Sequence, residues 1–102
     1  MGHSANEKGD LLEVILEGKF TFVDSTFFNK IIDNISNDLY KTITIDLKTV
    51  DFIDSAALGI LLLMRDKCEK ANTKLLVKNP VGQVERMFDI SRLNDLLVIQ
   101  KD

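Results

Sequence analysis

A β-branched apolar run, Thr42–Leu47, is followed after eight residues by nine consecutive apolar or glycine residues, Ala56–Met64. The first run has the composition of a strand buried on both faces. The second is too long for a typical strand and suits a helix. A strand that gives way to a helix across so short a joint commits the chain to an α/β arrangement. Within the joint, Asp51-Phe52-Ile53-Asp54-Ser55, a hydroxyl directly follows a carboxylate. A serine at a strand-to-helix turn is presented to solvent with helix amides behind it. Free N–H groups and the helix dipole favour an anion there. Ser55 is therefore the candidate for phosphorylation by another protein. From spacing alone, an Asp-Ser pair at a helix start is more often an ordinary N-cap, with Asp54 as the capping carboxylate.

The rest of the chain alternates in the same way. Leu11–Leu16 reads as a strand that Gly18 breaks, and Phe20-Thr21-Phe22 as a second extended piece. Asp24 or Ser25 caps a helix whose buried face is Phe28, Ile31, Ile32, Ile35 and Leu39. The second helix runs from Ser55 to Ala71, with Asn72 as its stop. Lys74–Val77 is a strand. Asn79-Pro80 is a turn, and Pro80 opens a third helix with Val84, Met87 and Phe88 on its inner side. Leu96–Ile99 is the last strand. The order β-β-α-β-α-β-α-β predicts a single domain over residues 11–102. Its sheet is mixed, with four to five strands, and its helices lie mainly on one face. Residues 1–10 are polar and aperiodic. They read as a flexible tail, with Gly2-His3 consistent with a cloning remnant.

Composition removes several classes of function. The net charge is -3 and Lys and Arg form no block, so nucleic acid is not an expected partner. The longest apolar run is about half of what spans a bilayer, so no membrane insertion is expected. A single cysteine, Cys68, rules out an internal disulfide and fits a reducing, cytoplasmic setting. Serine hydrolysis needs a base beside the nucleophile, and the one histidine is His3, in the expected tail. No His/Cys cluster offers a metal site, no glycine-rich loop cradles phosphates, and no cofactor is expected. Asp33, Asp66 and Asp89 read as solvated helix faces. Asp46 and Asp54 lack the clustered acidic pocket and lysine of a phosphate-accepting receiver domain. The expectation is a protein that binds and does not catalyse.

The second helix also carries a surface clue. Ala57, Ile60, Leu61, Met64, Cys68 and Ala71 share the face meant for the sheet. Leu62 and Leu63 lie nearer Gly59 and Asp66, in roughly the outward direction of Ser55. Two readings follow: either another element covers these leucines, or they form an exposed apolar strip that marks a partner surface.

With these residues in view, the chain resembles the STAS family (sulfate transporter and anti-sigma factor antagonist domain), and within it the stand-alone anti-sigma factor antagonists. The resemblance runs from about Leu11 to Ile99. It is carried by Val50-Asp51-Phe52-Ile53-Asp54-Ser55-Ala56-Ala57-Leu58-Gly59, similar to the family's Asp-Ser, two small residues, Leu-Gly. Ile45-Asp46-Leu47, the Gly18 turn and Val84–Ser91 support it. The resemblance implies a bacterial regulator in which a cognate anti-sigma factor/serine protein kinase phosphorylates Ser55 and a serine phosphatase of the metal-dependent type removes the phosphate. Unphosphorylated, the protein would bind the kinase or anti-sigma factor and release a sigma factor or other target. The expected partner surface comprises Thr21, Asp24, Asp54, Ser55, Leu58, Gly59, Leu62, Leu63 and Asp66. The chain departs from the family's pattern at Thr21, where an aspartate is frequent, and at Ala57, where many members carry glycine. The alternative is a non-enzymatic STAS subunit of a transporter or phospholipid-trafficking assembly, with no phosphoswitch.

Overall fold

The computed structural model describes residues 2–35 and 39–101. A five-stranded mixed sheet runs in the spatial order β1 (Gly2–Lys8), β2 (Leu11–Phe20), β3 (Thr42–Ile53), β4 (Lys74–Lys78) and β5 (Val98–Gln100). β1 is antiparallel to β2, and the other neighbours are parallel. Three helices connect the parallel strands: α1 (Ser25–Ile35), α2 (Ser55–Ala71) and α3 (Gly82–Ile90).

Alternation of side chains puts one face of the sheet into the core. Leu12, Val14 and Leu16 of β2, Ile43, Ile45 and Leu47 of β3, and Leu75 and Val77 of β4 are all buried. They join one cluster with Phe28, Ile31, Ile32 and Ile35 of α1, Ala57, Leu61, Met64 and Cys68 of α2, and Val84 and Phe88 of α3. The opposite positions of β3, Thr42, Thr44 and Asp46, are only half-buried. β3 is thus buried on one face, not on both as its composition predicts. Its threonines serve the open face, where a β-branched side chain with a hydroxyl tolerates partial solvation.

The predicted order of strands and helices holds, but its first two strands are different segments. The polar opening is not a frayed tail; Gly2–Lys8 form an edge strand. A two-residue loop, Gly9-Asp10, closes the hairpin, with Gly9 at φ +62°. Every β1 residue is exposed, so no apolar alternation betrays the strand. Backbone pairing holds it, helped by the His3 ring stacked on Phe27 at 3.8 Å and by Glu7, which accepts the Tyr40 hydroxyl.

Gly18, at φ +80°, does not break β2. It lies between register irregularities through which the strand continues to Phe20. Phe22 belongs to no strand; it opens a 3-10 turn, Phe22–Asp24. That turn, capped by Thr21 with Asp24 reaching back to the Thr21 N–H at 2.9 Å, leads into α1. Neither Asp24 nor Ser25 is the cap itself. Leu39 lies past the end of α1 and is 52 % exposed, so it is not on the buried face. α2 has the predicted bounds, and Asn72 ends it at φ 58°. α3 begins at Gly82, two residues after Pro80, and β5 spans Val98–Gln100, because Leu93–Asp95 form a 3-10 turn and Leu96 and Leu97 follow it.

Two outcomes follow from this core. Leu61 is fully buried, so Leu61→Asp places an unpaired charge against the sheet and abolishes cooperative thermal unfolding. Leu63→Asp, at a 43 % exposed position, leaves the melting temperature within a few degrees. Circular dichroism melts separate the two. Burial also pushes the Cys68 thiol from 9.0 up to about 11. The folded state therefore favours the protonated thiol. The associated stability is fully present below about pH 9 and is lost as the pH rises through about 11. The loss amounts to at most about 2–3 kcal/mol. Urea titrations across this window should show a shallower decline for Cys68→Ala than for the parent.

Candidate functional site

The end of β3 delivers Asp54 in an extended conformation, φ −103° and ψ 176°, as the N-cap of α2. One carboxylate oxygen accepts the Ala57 N–H at 2.8 Å. The other accepts the Phe22 N–H at 3.3 Å, from the turn between β2 and α1. The Asp54 N–H in turn donates to the Phe20 carbonyl at 3.3 Å. One side chain thus fixes both the start of α2 and the neighbouring turn.

Because Asp54 takes the capping role, Ser55 is the first helical residue and is exposed. The Leu58 N–H bonds the Asp54 carbonyl, and the Ala57 N–H bonds its side chain. Among the described residues, no hydrogen bond from the Ser55 or Ala56 N–H is seen at the start of α2. The Ser55 hydroxyl therefore stands in solvent, beside these donors and the positive end of a 17-residue helix. An anion attached to that hydroxyl meets favourable electrostatics at once.

The structure sorts the predicted partner-surface residues. Ser55, Gly59, Leu63 and Asp66 are exposed. Leu62 is half-buried and packs on the core, so the strip narrows to its Leu63 side. Leu58 is buried and offers no surface contact, because at this point of the wheel α2 has already turned inward. Asp54 is half-buried and shapes the site through its hydrogen bonds. Asp66 pairs with Arg65 at 3.4 Å, and Arg65 also reaches the Leu96 carbonyl and Glu69. Thr21 accepts the Val23 N–H through its hydroxyl at 3.4 Å. Asp24 is buried with its carboxylate on the Thr21 N–H, so it is held within its own turn and is not a surface contact.

The turn also exposes two apolar residues that the spacing does not single out. Phe22 is 66 % exposed and Val23 72 %, in the turn that Asp54 ties to α2. Period-two spacing groups Phe22 with the fully buried Phe20, but the strand ends at Phe20 and the 3-10 turn sends Phe22 outward. The available signal was the capping pattern Thr21-x-x-Asp24, which ends a strand instead of continuing it. Among the described residues no group of His, Cys, Asp or Glu has the proximity to hold a metal ion. No helix among them is long and apolar enough to cross a membrane.

Residues 4–102 match the STAS domain family, and the chain belongs to that family. A STAS-domain containing protein of Pseudomonas aeruginosa strain UCBPP-PA14 is 28 % identical over 91 residues, 89 % of each chain. Among solved structures, the fold is similar to that of a putative anti-sigma factor antagonist from Thermotoga maritima. There the TM-score is 0.87 at 19 % identity, covering 98 % of this chain and 86 % of that one. It is also similar to the anti-sigma factor antagonist SpoIIAA in its unphosphorylated form, with a TM-score of 0.81 at 16 % identity over 99 % and 88 % of the two chains. A sulfate transporter family protein from Wolinella succinogenes gives 0.78 at 18 % identity over 89 % and 76 %. At these identities the structures establish a shared fold.

Removing the Asp54 carboxylate tests the local architecture. Asp54→Ala should cost about 1–2 kcal/mol, the usual penalty for a lost N-cap. It should also speed amide exchange at both Ala57 and Phe22, which lie on different elements. Exchange that quickens only at Ala57 would show that the carboxylate does not hold the turn.

Proposed function

We propose that this protein is an anti-sigma factor antagonist: a phosphorylation-switched binding module with no catalytic role of its own, working in a bacterial cytoplasm. Unphosphorylated at Ser55, it binds an anti-sigma factor/serine kinase and frees that partner's target, a sigma factor or other regulator. Phosphorylation of Ser55 ends the binding, and a metal-dependent serine phosphatase restores it. The observation that carries this reading is the division of labour at the start of α2. Asp54 does the capping, so the neighbouring hydroxyl is exposed and available for modification.

The surroundings of Ser55 supply a mechanism. Phe22 and Val23, in the turn whose amide Asp54 holds, and Gly59 and Leu63, one and two turns further along α2, are exposed positions without charge. A partner that covers this patch buries the neutral hydroxyl at little cost. A phosphate brings about -1.5 to -2 charges to the same spot, next to the Asp54 carboxylate. Covering it would strip the phosphate of water among apolar side chains, which opposes binding. The proposed contact surface is therefore Ser55, Gly59, Leu63 and Asp66, extended by Phe22 and Val23, and shaped from beneath by Asp54, Thr21 and Asp24.

The likeness to a transporter-family structure favours one other reading, a STAS subunit of a transport assembly in which Ser55 is never modified. Intact-mass analysis of the protein from its own cells, beside Ser55→Ala, separates the two. The switch requires a phosphate-sized mass increment that Ser55→Ala abolishes. In pull-downs Ser55→Ala should retain the partner. Ser55→Asp should weaken capture at least about tenfold, or roughly 1.4 kcal/mol. Equal capture by parent, Ser55→Ala and Ser55→Asp would exclude the switch and favour the assembly subunit.

A further inference from the structure

β3 outruns its neighbour. β4 pairs with it only from Thr42 to Asp46, whereas β2 accompanies it to Ile53. Among the described residues, the flank of β3 that faces β4 has no strand partner beyond Asp46, and α3, which packs on β3, reaches it at Ile53. On that flank the side-chain amide of Gln83 makes a two-point bond to Ile53. Its Oε1 accepts the Ile53 N–H at 2.9 Å, and its Nε2 donates to the Ile53 carbonyl at 3.2 Å. A strand residue presents its N–H and C=O to the same flank in a parallel sheet, so the amide fills the place of a missing strand. The reverse orientation of the amide would set like groups against each other.

The location matters more than the bonds themselves. The Ile53 carbonyl and the Asp54 N–H belong to one planar peptide group. Gln83 holds its carbonyl end from the α3 flank, and the Phe20 carbonyl holds its N–H end from the β2 flank. With both ends tied, the plane cannot rotate without breaking a hydrogen bond. From this plane Asp54 reaches Ala57 and Phe22, and Ser55 follows.

We infer that Gln83 is a positioning residue for the Ser55 site, because its amide and the Phe20 carbonyl together lock the Ile53–Asp54 peptide group from which the cap and the hydroxyl project. The inference deepens the reading of Ser55 as a phosphoacceptor, and its consequence for phosphorylation rests on that reading. The hydrogen bonds of Gln83 go to Ile53 and not to the Ser55 hydroxyl, so it acts through the Ile53–Asp54 peptide group.

The test compares Gln83→Leu, which removes both hydrogen bonds, with Gln83→Glu, which keeps an acceptor for the Ile53 N–H but turns its second oxygen toward the Ile53 carbonyl. Thr73→Val is the control. It loses a buried side-chain hydrogen bond, to the Tyr40 carbonyl, at the other end of the sheet. Amide exchange of the unmodified full chain reads the cap directly. Relative to Thr73→Val, the Ala57 amide should exchange at least about tenfold faster in Gln83→Leu, with Gln83→Glu between them. Phosphate occupancy of Ser55 in the native cells, read by intact mass, should fall several-fold in Gln83→Leu and stay at the parent level in Thr73→Val. A merely structural glutamine would lower the melting temperature and leave the occupancy unmoved, and that result overturns the inference. So does Ala57 exchange in both Gln83 variants that matches the control. If the parent itself carries no phosphate while Ala57 responds as expected, the positioning of the cap stands and the reading of Ser55 as phosphoacceptor falls.

Discussion

The Asp54 carboxylate is the interaction on which the candidate site depends. It bonds two backbone amides that lie on different elements, one of them 32 residues away in the chain. Without it the Ala57 N–H at the first turn of α2 would lose its acceptor, and a serine or aspartate cap is the usual way to supply one. A hydroxyl committed to capping faces back onto its own helix. The Asp-Ser order thus separates two tasks that a single residue cannot perform well together, holding the helix start and presenting a modifiable oxygen.

That separation works because the scaffold behind it is rigid. The line Val14–Ile45–Val77–Ile99 runs across four strands in register, and the first three of these residues are fully buried. α1, α2 and α3 all contribute buried side chains to the same cluster. Closely packed interiors resist small displacements, so the end of β3 has a defined position. The hydrogen bonds of Asp54, Phe20 and Gln83 then carry that position over the last few ångströms to Ser55. The open face of the sheet takes no part in this, and its half-buried threonines need only tolerate water.

Legibility in the sequence followed the strength of each local signal. α2 was readable to the residue, because Asp54 and Asn72 are strong boundary residues and the apolar spacing between them is helical. β1 was not readable. A strand held by backbone pairing at an exposed edge has no hydrophobic pattern to display, and only the turn residues Gly9-Asp10 hinted at it. Gly18 misled in the opposite sense, since glycine at a bulge resembles glycine at a break until the partner strand is known. Ser55 and its setting were legible because one short segment contains them. Phe22 and Val23 were not, because their exposure is created by a turn tethered across 32 residues to Asp54. Gln83 was invisible for the same reason: its partner, Ile53, is 30 residues away.

The position of Ser55 also determines what kind of switch a phosphate there can be. At the first residue of α2 the added charge meets the Ser55 and Ala56 amides and the positive end of the dipole. Such an arrangement stabilises an exposed anion by about 0.3–1 kcal/mol. That gain opposes melting of the helix. The like charge of Asp54 pulls the other way, but Asp54 is held by two backbone donors of its own and does not depend on Ser55. Nothing in this balance approaches the several kcal/mol needed to move a packed sheet and its helices. The phosphate has no lever on the core; what it changes is the charge and hydration of one exposed spot at the start of α2. A partner would therefore read the modification directly, by contact, and the fold would serve to keep the spot in the same place in both states.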